Sequence, residues 1–425
     1  MYRGRSFRLG SRFFGAYIME WSPDQEKALS AVAEWYRNGS EQEFRLFGYA
    51  GTGKTTLARH LAENTGGRVA FAAYTGKAAS VLVSKGCPAT TIHSLIYIPY
   101  SKSKNRLRNL EIELEDLEKA EAPSERDARR MKALKAQIRE EKDDVNKPGF
   151  VLNMDSEVRE LDLLIIDECS MVGDDMAQDL LSFGTKILVL GDPAQLPPVA
   201  SAGYFTNKDP DYMLTSIHRQ AENDPIIHLA TMVREGKKLH LGEYGISQVV
   251  KGGTLDPEFV MAQDQLICGR NATRHNINRR CRELLGYDPT YTVVEGEKVV
   301  CLRNNRDLGI LNGTLWLVDW VECTPDEPLI DMLIQEHGVE NGYELGVSAW
   351  AEIFGKNPKD ADIDWWTKKD HQEFDYGYAL TCHKAQGSQW DRVMVFDESD
   401  AFRDQSQQWL YTAITRAAKS VTIVV

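Results

Sequence analysis

The sequence predicts an α/β protein built on parallel sheets flanked by helices, and three observations predict it. Residues 48–55 read Gly-Tyr-Ala-Gly-Thr-Gly-Lys-Thr, the G-x-x-x-x-G-K-[ST] pattern whose backbone N–H groups cradle phosphates between a strand and a helix. Residues 163–168 read Leu-Leu-Ile-Ile-Asp-Glu, an apolar run closed by two carboxylates, as at the C-terminal end of a buried parallel strand. Strand-like runs recur at 68–73, 163–167, 187–190, 265–268, 392–396 and 421–425, mostly separated by helical or loop segments.

Residues 1–18 carry Arg3, Arg5, Arg8 and Arg12 and no acid. The apolar stretch Phe13 to Ile18 is shorter than the roughly 7–15 residues of a signal-peptide core. Residues 1–20 therefore read as a flexible basic leader, or as a basic arm touching phosphates; Met1 and Met19 both stand as possible starts. Ser22-Pro23 ahead of Asp24 to Tyr36 marks an N-capped helix with Pro in its first turn. Phe44 to Gly48 is a strand feeding the phosphate loop, and Lys54 to Asn64 is the helix leaving it.

Residues 101–147 break the alternation. Of these 47 residues, 25 are charged, 13 basic and 12 acidic. Leu107, Leu110, Leu114 and Leu117 recur at helical spacing, and Met131, Leu134 and Ile138 make a second stripe after Pro123-Ser124. The pattern predicts two antiparallel helices on a narrow seam, protruding from the core. Residues 150–158 are expected to form a short hairpin before the acidic strand. Short β-type runs within 291–350, divided by Asn304-Asn305 and Asn312-Gly313, predict a small β-rich module before the last α/β strands.

Bulk properties narrow the function classes. A chain of 425 residues exceeds what one core supports, so several domains are expected. Its 42% hydrophobic and 27% charged content is that of a soluble globular protein. No apolar stretch approaches the roughly 20 residues of a membrane span. Seven scattered cysteines without a C-x-x-C pair argue against zinc and disulfides and for a reducing cytoplasm, bacterial or that of a phage-infected cell. The net charge of −13 does not advertise nucleic acid, but a local basic groove is compatible with an acidic exterior.

The chemistry follows from residue types. Lys54 reaches β- and γ-phosphates, the Thr55 hydroxyl takes one Mg²⁺ position, and Gly48, Gly51 and Gly53 let the backbone close on the anion. Thr52 and Thr56 complete the loop. Asp167 is the second Mg²⁺ residue, and Glu168 orients or deprotonates an attacking water. Gln195, in the loop after Ile187 to Leu190, is the long neutral side chain suited to sensing a γ-phosphate.

In order, Gly48 to Thr56, Ala73 to Ala79, Thr90 to Ser94, Leu163 to Val172, Gly191 to Pro198, Ile217-His-Arg-Gln220, Tyr378 to Gly387 and Tyr411 to Arg416 resemble the motifs of superfamily 1 helicases. The resemblance is to the RecD-like, 5′→3′ branch that includes the phage Dda helicase. It implies two RecA-like lobes with ATP and Mg²⁺ between them. The first lobe would comprise 21–98 and 160–215, and the second 216–312 and 376–425. Residues 99–159 would be an insertion with the charged hairpin and a possible pin, and 313–375 a β-rich, SH3-like insertion. Arg219 and Arg416 match arginines that reach the γ-phosphate across the cleft, and Gln25 matches a glutamine that reads adenine. Gly387 falls beside the nucleotide. Thr75, Gly76, Lys77, His93, Thr381, His383 and Lys384 resemble contacts to a single strand, with Phe150 or Met154 as an apolar wedge. Tyr74 stands where the family often has Pro, and Gln389 where many relatives have Glu.

The function implied is an ATP-dependent DNA helicase that moves 5′→3′ on single-stranded DNA, acts at duplex junctions, and serves replication, recombination or repair. A replication or recombination protein would dock on the 101–147 hairpin. Two alternatives stand beside it: a non-autonomous motor subunit of a nuclease or recombination complex, and an RNA helicase of the same superfamily.

Overall fold

The computed structural model describes residues 21–100, 105–119, 125–145, 149–197, 203–216, 224–253, 255–305, 308–322, 327–338, 344–356, 363 and 371–425. The basic leader and Arg219 lie outside the described residues.

Helix α1 (Pro23–Asn38) opens on a capping box. The Ser22 hydroxyl accepts the Gln25 N–H, the Gln25 side chain accepts the Ser22 N–H, and Pro23 sits where no donor is needed. The strands that follow are β1 (Glu43–Gly48), β2 (Val69–Ala73), β3 (Ala89–Thr91), β4 (Tyr97–Tyr100), β5 (Gly149–Leu152), β6 (Leu163–Asp167), β7 (Ile187–Gly191) and β8 (Tyr212–Leu214). Six of them form one parallel sheet in the order β3-β2-β6-β7-β1-β8. Leu163 to Ile166 and Ile187 to Leu190 are buried, which is why these two strands read as unbroken apolar runs. Helices α2 (Lys54–Asn64), α3 (Gly76–Ser84) and α4 (Ile92–Ile96) each follow a strand end, so their N-termini gather along one edge of the sheet.

The charged segment forms α5 (Asn105–Glu118) and α6 (Glu125–Val145), packed on each other. Leu134 and Ile138 are buried in the seam, and Glu113–Arg130 and Glu118–Lys135 pair across it. These pairs are exposed and each contributes about 0–1 kcal/mol. The hairpin expected at 150–158 does not form. Instead β5 pairs antiparallel with β4, Phe150 opposite Pro99, and 157–160 makes a 3-10 turn. The ribbon closes the base of the helical arm, and its partner strand lies some fifty residues upstream, where no local turn signal reveals it.

Helix α7 (Asp174–Leu181) completes the first lobe. The second holds α8 (Pro225–Arg234), β9 (Gly242–Tyr244), β10 (Ser247–Val250), α9 (Pro257–Met261), β11 (Gln265–Cys268) and α10 (Asn271–Leu284). An inserted antiparallel sheet follows, with β12 (Lys298–Cys301), β13 (Leu315–Glu322), β14 (Leu329–Glu336), β15 (Glu344–Trp350) and β16 (Phe374–Tyr376), ordered β15-β14-β13-β12-β16. The chain then returns through β17 (Ala379–Thr381), α11 (Cys382–Ala385), β18 (Trp390–Phe396), α12 (Ser406–Ile414) and β19 (Ala417–Val424). The second lobe's sheet is ordered β17-β11-β18-β19-β10-β9 and is parallel except for the β9–β10 hairpin.

The inserted sheet starts earlier than the boundary at 313. Val299 pairs with Trp316 on one side and Tyr376 on the other, so β12 belongs to it. Asn312-Gly313 does divide two runs: it lies between β12 and β13, which pair antiparallel, and Gly313 has φ +86° with its N–H on the Cys301 carbonyl. Two buried ion pairs tie α10 to this insertion, Arg274–Asp375 at 2.6 Å and Arg282–Glu297 at 2.8 Å.

Candidate functional site

The phosphate loop leaves β1 at Gly48 and enters α2 at Lys54. Gly51 and Gly53 have φ of +79° and +81°, a left-handed backbone that costs glycine nothing. Lys54 Nζ donates to the Gly48 and Tyr49 carbonyls at 2.6 and 3.0 Å, which holds the ammonium at the loop's mouth. The Thr55 hydroxyl donates to Asp167 Oδ2 at 3.0 Å. A hydroxyl and a carboxylate so close are oxygen donors suited to Mg²⁺. Among the described residues no group of three or more His, Cys, Asp or Glu is placed to hold a metal, so such an ion would need phosphate oxygens as well.

Glu168 follows directly and has φ +53°, ψ +45°. A non-glycine residue in this region is strained, and such strain gathers at functional positions. Burial raises its carboxyl pKa, the Arg416 charge opposes this, and Asp167 adds to the rise. That is the direction expected of a proton acceptor in a dry site.

Arg416 comes from the second lobe, just beyond α12. It is 5% exposed, with Nε on the Thr412 carbonyl, Nη1 on the Ser388 carbonyl and Nη2 on the Thr415 hydroxyl. It faces Lys54, Thr55, Asp167, Glu168 and Gln195 across a cleft of 190 Å³, and Gly51, Gly387 and Gln389 also border it. Gly387, at φ +72°, lets the second lobe approach α3: a Cβ there would lie 3.0 Å from Thr75 Oγ1.

Gly48, Thr52, Gly53, Thr56 and Gln25 do not border the cleft. Gln25 braces the loop from behind. Its amide is engaged at both ends, Oε1 by Ser22 N–H and Nε2 by the Thr52 carbonyl at 3.0 Å, and it is 4% exposed.

A second, larger groove of 860 Å³ runs between the lobes and is bordered by Thr75, Gly76, Lys77, His93, Phe150, His383 and Lys384. Thr75 caps α3 and its hydroxyl accepts the Ala78 N–H, leaving the helix N-terminus toward the groove. His93 sits among Tyr74, Tyr97 and Phe150, with ring centroids 5.6, 5.7 and 5.9 Å away. Phe150, 45% exposed on β5, therefore lines the groove beside His93. Thr381 does not: it is buried, and its hydroxyl caps α11 by accepting the Lys384 N–H. Burial lowers Lys77 to about 8, with Glu336 opposing; Lys384 is more exposed, and its partial burial and the Arg274 charge shift it the same way. Lys77 Nζ lies 4.4 Å over the Trp390 ring, one lobe on the other.

Sequence reasoning missed the residues that join the lobes. The Tyr411 hydroxyl donates to Asp192 Oδ2 and accepts the Ala50 N–H. Thr412 Oγ1 accepts the Leu196 N–H, and the Gln386 amide donates to the Leu196 carbonyl. Leu196, fully buried, packs in the second lobe's core. All lie inside the quoted motif stretches, but nothing in a single sequence says which motif residues face each other.

Comparison with known proteins agrees with this geometry. The family described as AAA domain matches residues 20–254, and the UvrD-like helicase C-terminal domain matches residues 376–424. The ATP-dependent RecD2 DNA helicase of Deinococcus radiodurans is 28% identical over 406 residues, covering 88% of this chain and 45% of that protein. The RecBCD enzyme subunit RecD of Mycobacterium tuberculosis is 24% identical over 307 residues, covering 65% of this chain and 52% of its own. The chain thus spans about half the length of these curated relatives. A solved Pif1 helicase, from work on DNA unwinding at forked duplexes by two coordinating Pif1 helicases, shares the fold with TM-score 0.51 and 18% identity. That likeness covers 95% of this chain and 92% of the other. The chain belongs to the AAA domain family, and over most of its length it is similar to a RecD2 DNA helicase.

Proposed function

We propose that the chain is an ATP-hydrolysing motor that moves on single-stranded DNA and unwinds duplex ahead of it. One observation carries this reading. Ser388 borders both the nucleotide cleft and the larger groove, so both sites are built on one border between the lobes. A change at one is felt at the other through a single segment.

ATP is the substrate of the cleft. Lys54 binds its phosphates, and Thr55 and Asp167 would hold Mg²⁺, which would supply charge neutralisation at the phosphate oxygens. Glu168 takes the proton of the attacking water. Arg416, with Arg219 as its second, stabilises charge spreading over the transferred phosphoryl group. Arg416 is carried by the lobe opposite the phosphate loop, so it acts when the lobes close. Gln195 reports the γ-phosphate to the groove.

The single strand lies in the groove. The Thr75 and Gly76 backbone, His93, His383 and the two lysines meet phosphates, and Phe150 meets a base. Hydrolysis opens the lobes, and alternating grip on their two sides turns opening and closing into steps. One curated relative is named a DNA helicase, which favours DNA over RNA, and the motif resemblance implies 5′→3′ movement. Phe150 beside the strand serves as the wedge at a junction.

The test is an unwinding assay with 5′- and 3′-overhang duplexes, run with ATPase assays on DNA and RNA strands. Unwinding of the 5′-overhang duplex, with turnover stimulated more by DNA, is expected. Turnover without unwinding favours a subunit that needs a partner. No strand-stimulated turnover sinks the proposal.

A further inference from the structure

One helix of the second lobe grips the phosphate loop directly. The Tyr411 hydroxyl donates to Asp192 Oδ2 at 2.7 Å and accepts the Ala50 N–H at 2.9 Å. Ala50 is in the loop, and Asp192 stands beyond β7, so one hydroxyl joins three segments. Tyr411 is 2% exposed and Asp192 3%, so water does not substitute for either partner. The other Asp192 oxygen accepts the Ala194 N–H at 3.0 Å, so both carboxylate oxygens are engaged. On the neighbouring loop residue, the Arg234 guanidinium of α8 lies 3.6 Å from the Tyr49 ring centroid.

The same helix leads to Arg416. Thr412, next to Tyr411, has its carbonyl on Arg416 Nε at 3.0 Å and its hydroxyl on the Leu196 N–H at 2.8 Å. Helix, arginine and loop therefore form one connected set of buried hydrogen bonds. A buried O–H to carboxylate bond is short, directional and strong, so it fixes the rotation of α12 about this point. Arg416 lies five residues further on, and its guanidinium swings with that rotation. A misplacement of about an ångström at a transition-state donor lowers the rate by far more than it weakens ground-state binding.

We propose that Tyr411 is a positioning residue: its hydroxyl sets α12 against the phosphate loop and thereby sets where Arg416 meets the triphosphate. This rests on the motor reading, in which Arg416 acts on the phosphates. A tyrosine that merely filled the core would affect folding stability and would act independently of Arg416.

The test is a double-mutant cycle on the full chain: wild type, Tyr411→Phe, Arg416→Ala and the double variant, in strand-stimulated ATPase with thermal melts alongside. In Tyr411→Phe, kcat is expected to fall about tenfold while KM for ATP changes less than about threefold. In the Arg416→Ala background, the same change is expected to lower kcat by less than about twofold, because the residue it positions is gone. A Tyr411→Phe kcat close to wild type, or an equal fractional loss in both backgrounds, overturns the proposal. If Arg416→Ala itself keeps wild-type kcat, the motor reading of Arg416 fails and Tyr411 has nothing to position. Should Tyr411→Phe not fold, Asp192→Ala removes the partner without touching the ring. It is expected to show the same dependence on Arg416, and its absence is equally decisive.

Discussion

The side-chain amide of Gln386, on the wall of the strand groove, donates to the Leu196 carbonyl at 2.9 Å, one residue from Gln195 in the nucleotide cleft. Leu196 is held at its N–H as well, by Thr412, and its side chain is sealed in the second lobe's core. The loop therefore has little freedom to move alone. Displacing Gln386 from the groove side pulls on Gln195, and the reverse holds by linkage. Gln386→Leu keeps the volume and removes the amide. The expected result is normal basal turnover, strand affinity within about twofold of wild type, and stimulation by the strand reduced about tenfold. ATPase titrations with and without strand check this, and full stimulation in the variant would break the proposed link.

Lys54 separates binding of the strand from turnover. Its ammonium lies on the Gly48 and Tyr49 carbonyls and borders only the nucleotide cleft. Lys54→Ala is expected to lower ATP turnover by more than about a hundredfold. Single-strand affinity without nucleotide should stay near wild type, read by fluorescence anisotropy. An equal loss of both in a folded variant would contradict two distinct sites.

As the proposed proton acceptor, Glu168 should give turnover an acid limb. Burial holds its carboxyl above the ordinary value, with Arg416 opposing. A base must be unprotonated, so kcat falls as pH drops through that raised pKa and is level above it. The limb should disappear in Glu168→Gln, whose residual turnover should be flat with pH and lower by about a hundredfold or more. A limb that survives in Glu168→Gln would assign it to another group.

The groove lysines make strand binding depend on pH in the opposite sense. Lys77 is depressed to about 8, so it is charged below that pH and neutral above it, and the more exposed Lys384 is lowered in the same direction. Phosphates bind the charged form. Affinity should therefore be full near pH 7 and weaken by up to about tenfold per lysine by pH 9. Buried Lys298, also near 8, lies close enough to Lys77 to share in the titration. Arginine stays charged across this range, so Lys77→Arg with Lys384→Arg should flatten the profile. An unchanged slope in that double variant would place the titration elsewhere.

How much of this was legible in the sequence depends on the range of the signal. The phosphate loop, the acidic end of β6 and the parallel strands were readable because each is a run of adjacent residues with a local physical reason. The seam of α5 and α6 was readable from leucine spacing. The partner of β5 was not, because Pro99 and Phe150 are joined only by pairing across the helical arm. The β-type runs read within 291–350 already took in Lys298–Cys301; the boundary at 313 left that strand out, and Trp316 and Tyr376 beside Val299 put it in the inserted sheet. Thr381 reads as a groove hydroxyl until its hydroxyl is seen capping α11. Tyr411 and Asp192, two hundred residues apart, reveal themselves only in space.

The pair Arg274–Asp375 is where the insertion is anchored, and it sets the last prediction. Asp375 is fully buried: Oδ2 accepts from Arg274 at 2.6 Å and Oδ1 accepts the Gly355 and Tyr376 N–H groups at 2.8 Å. Arg274 is 2% exposed, so removing the carboxylate leaves a buried cation without its counter-charge and takes the acceptor from the Gly355 and Tyr376 N–H groups. Asp375→Ala should cost about 3–5 kcal/mol, far more than any exposed pair on the helical arm. Replacing both partners with apolar groups, Arg274→Met with Asp375→Leu, removes the uncompensated charge and should recover most of that loss through its non-additive term. Guanidinium unfolding followed by tryptophan fluorescence reads both, since Trp316 and Trp350 lie in the inserted sheet. Because neither residue borders the nucleotide cleft, ATP binding by the folded Asp375→Ala chain should persist at low denaturant. Simple additivity of the two changes would show that these charges do not act as a pair.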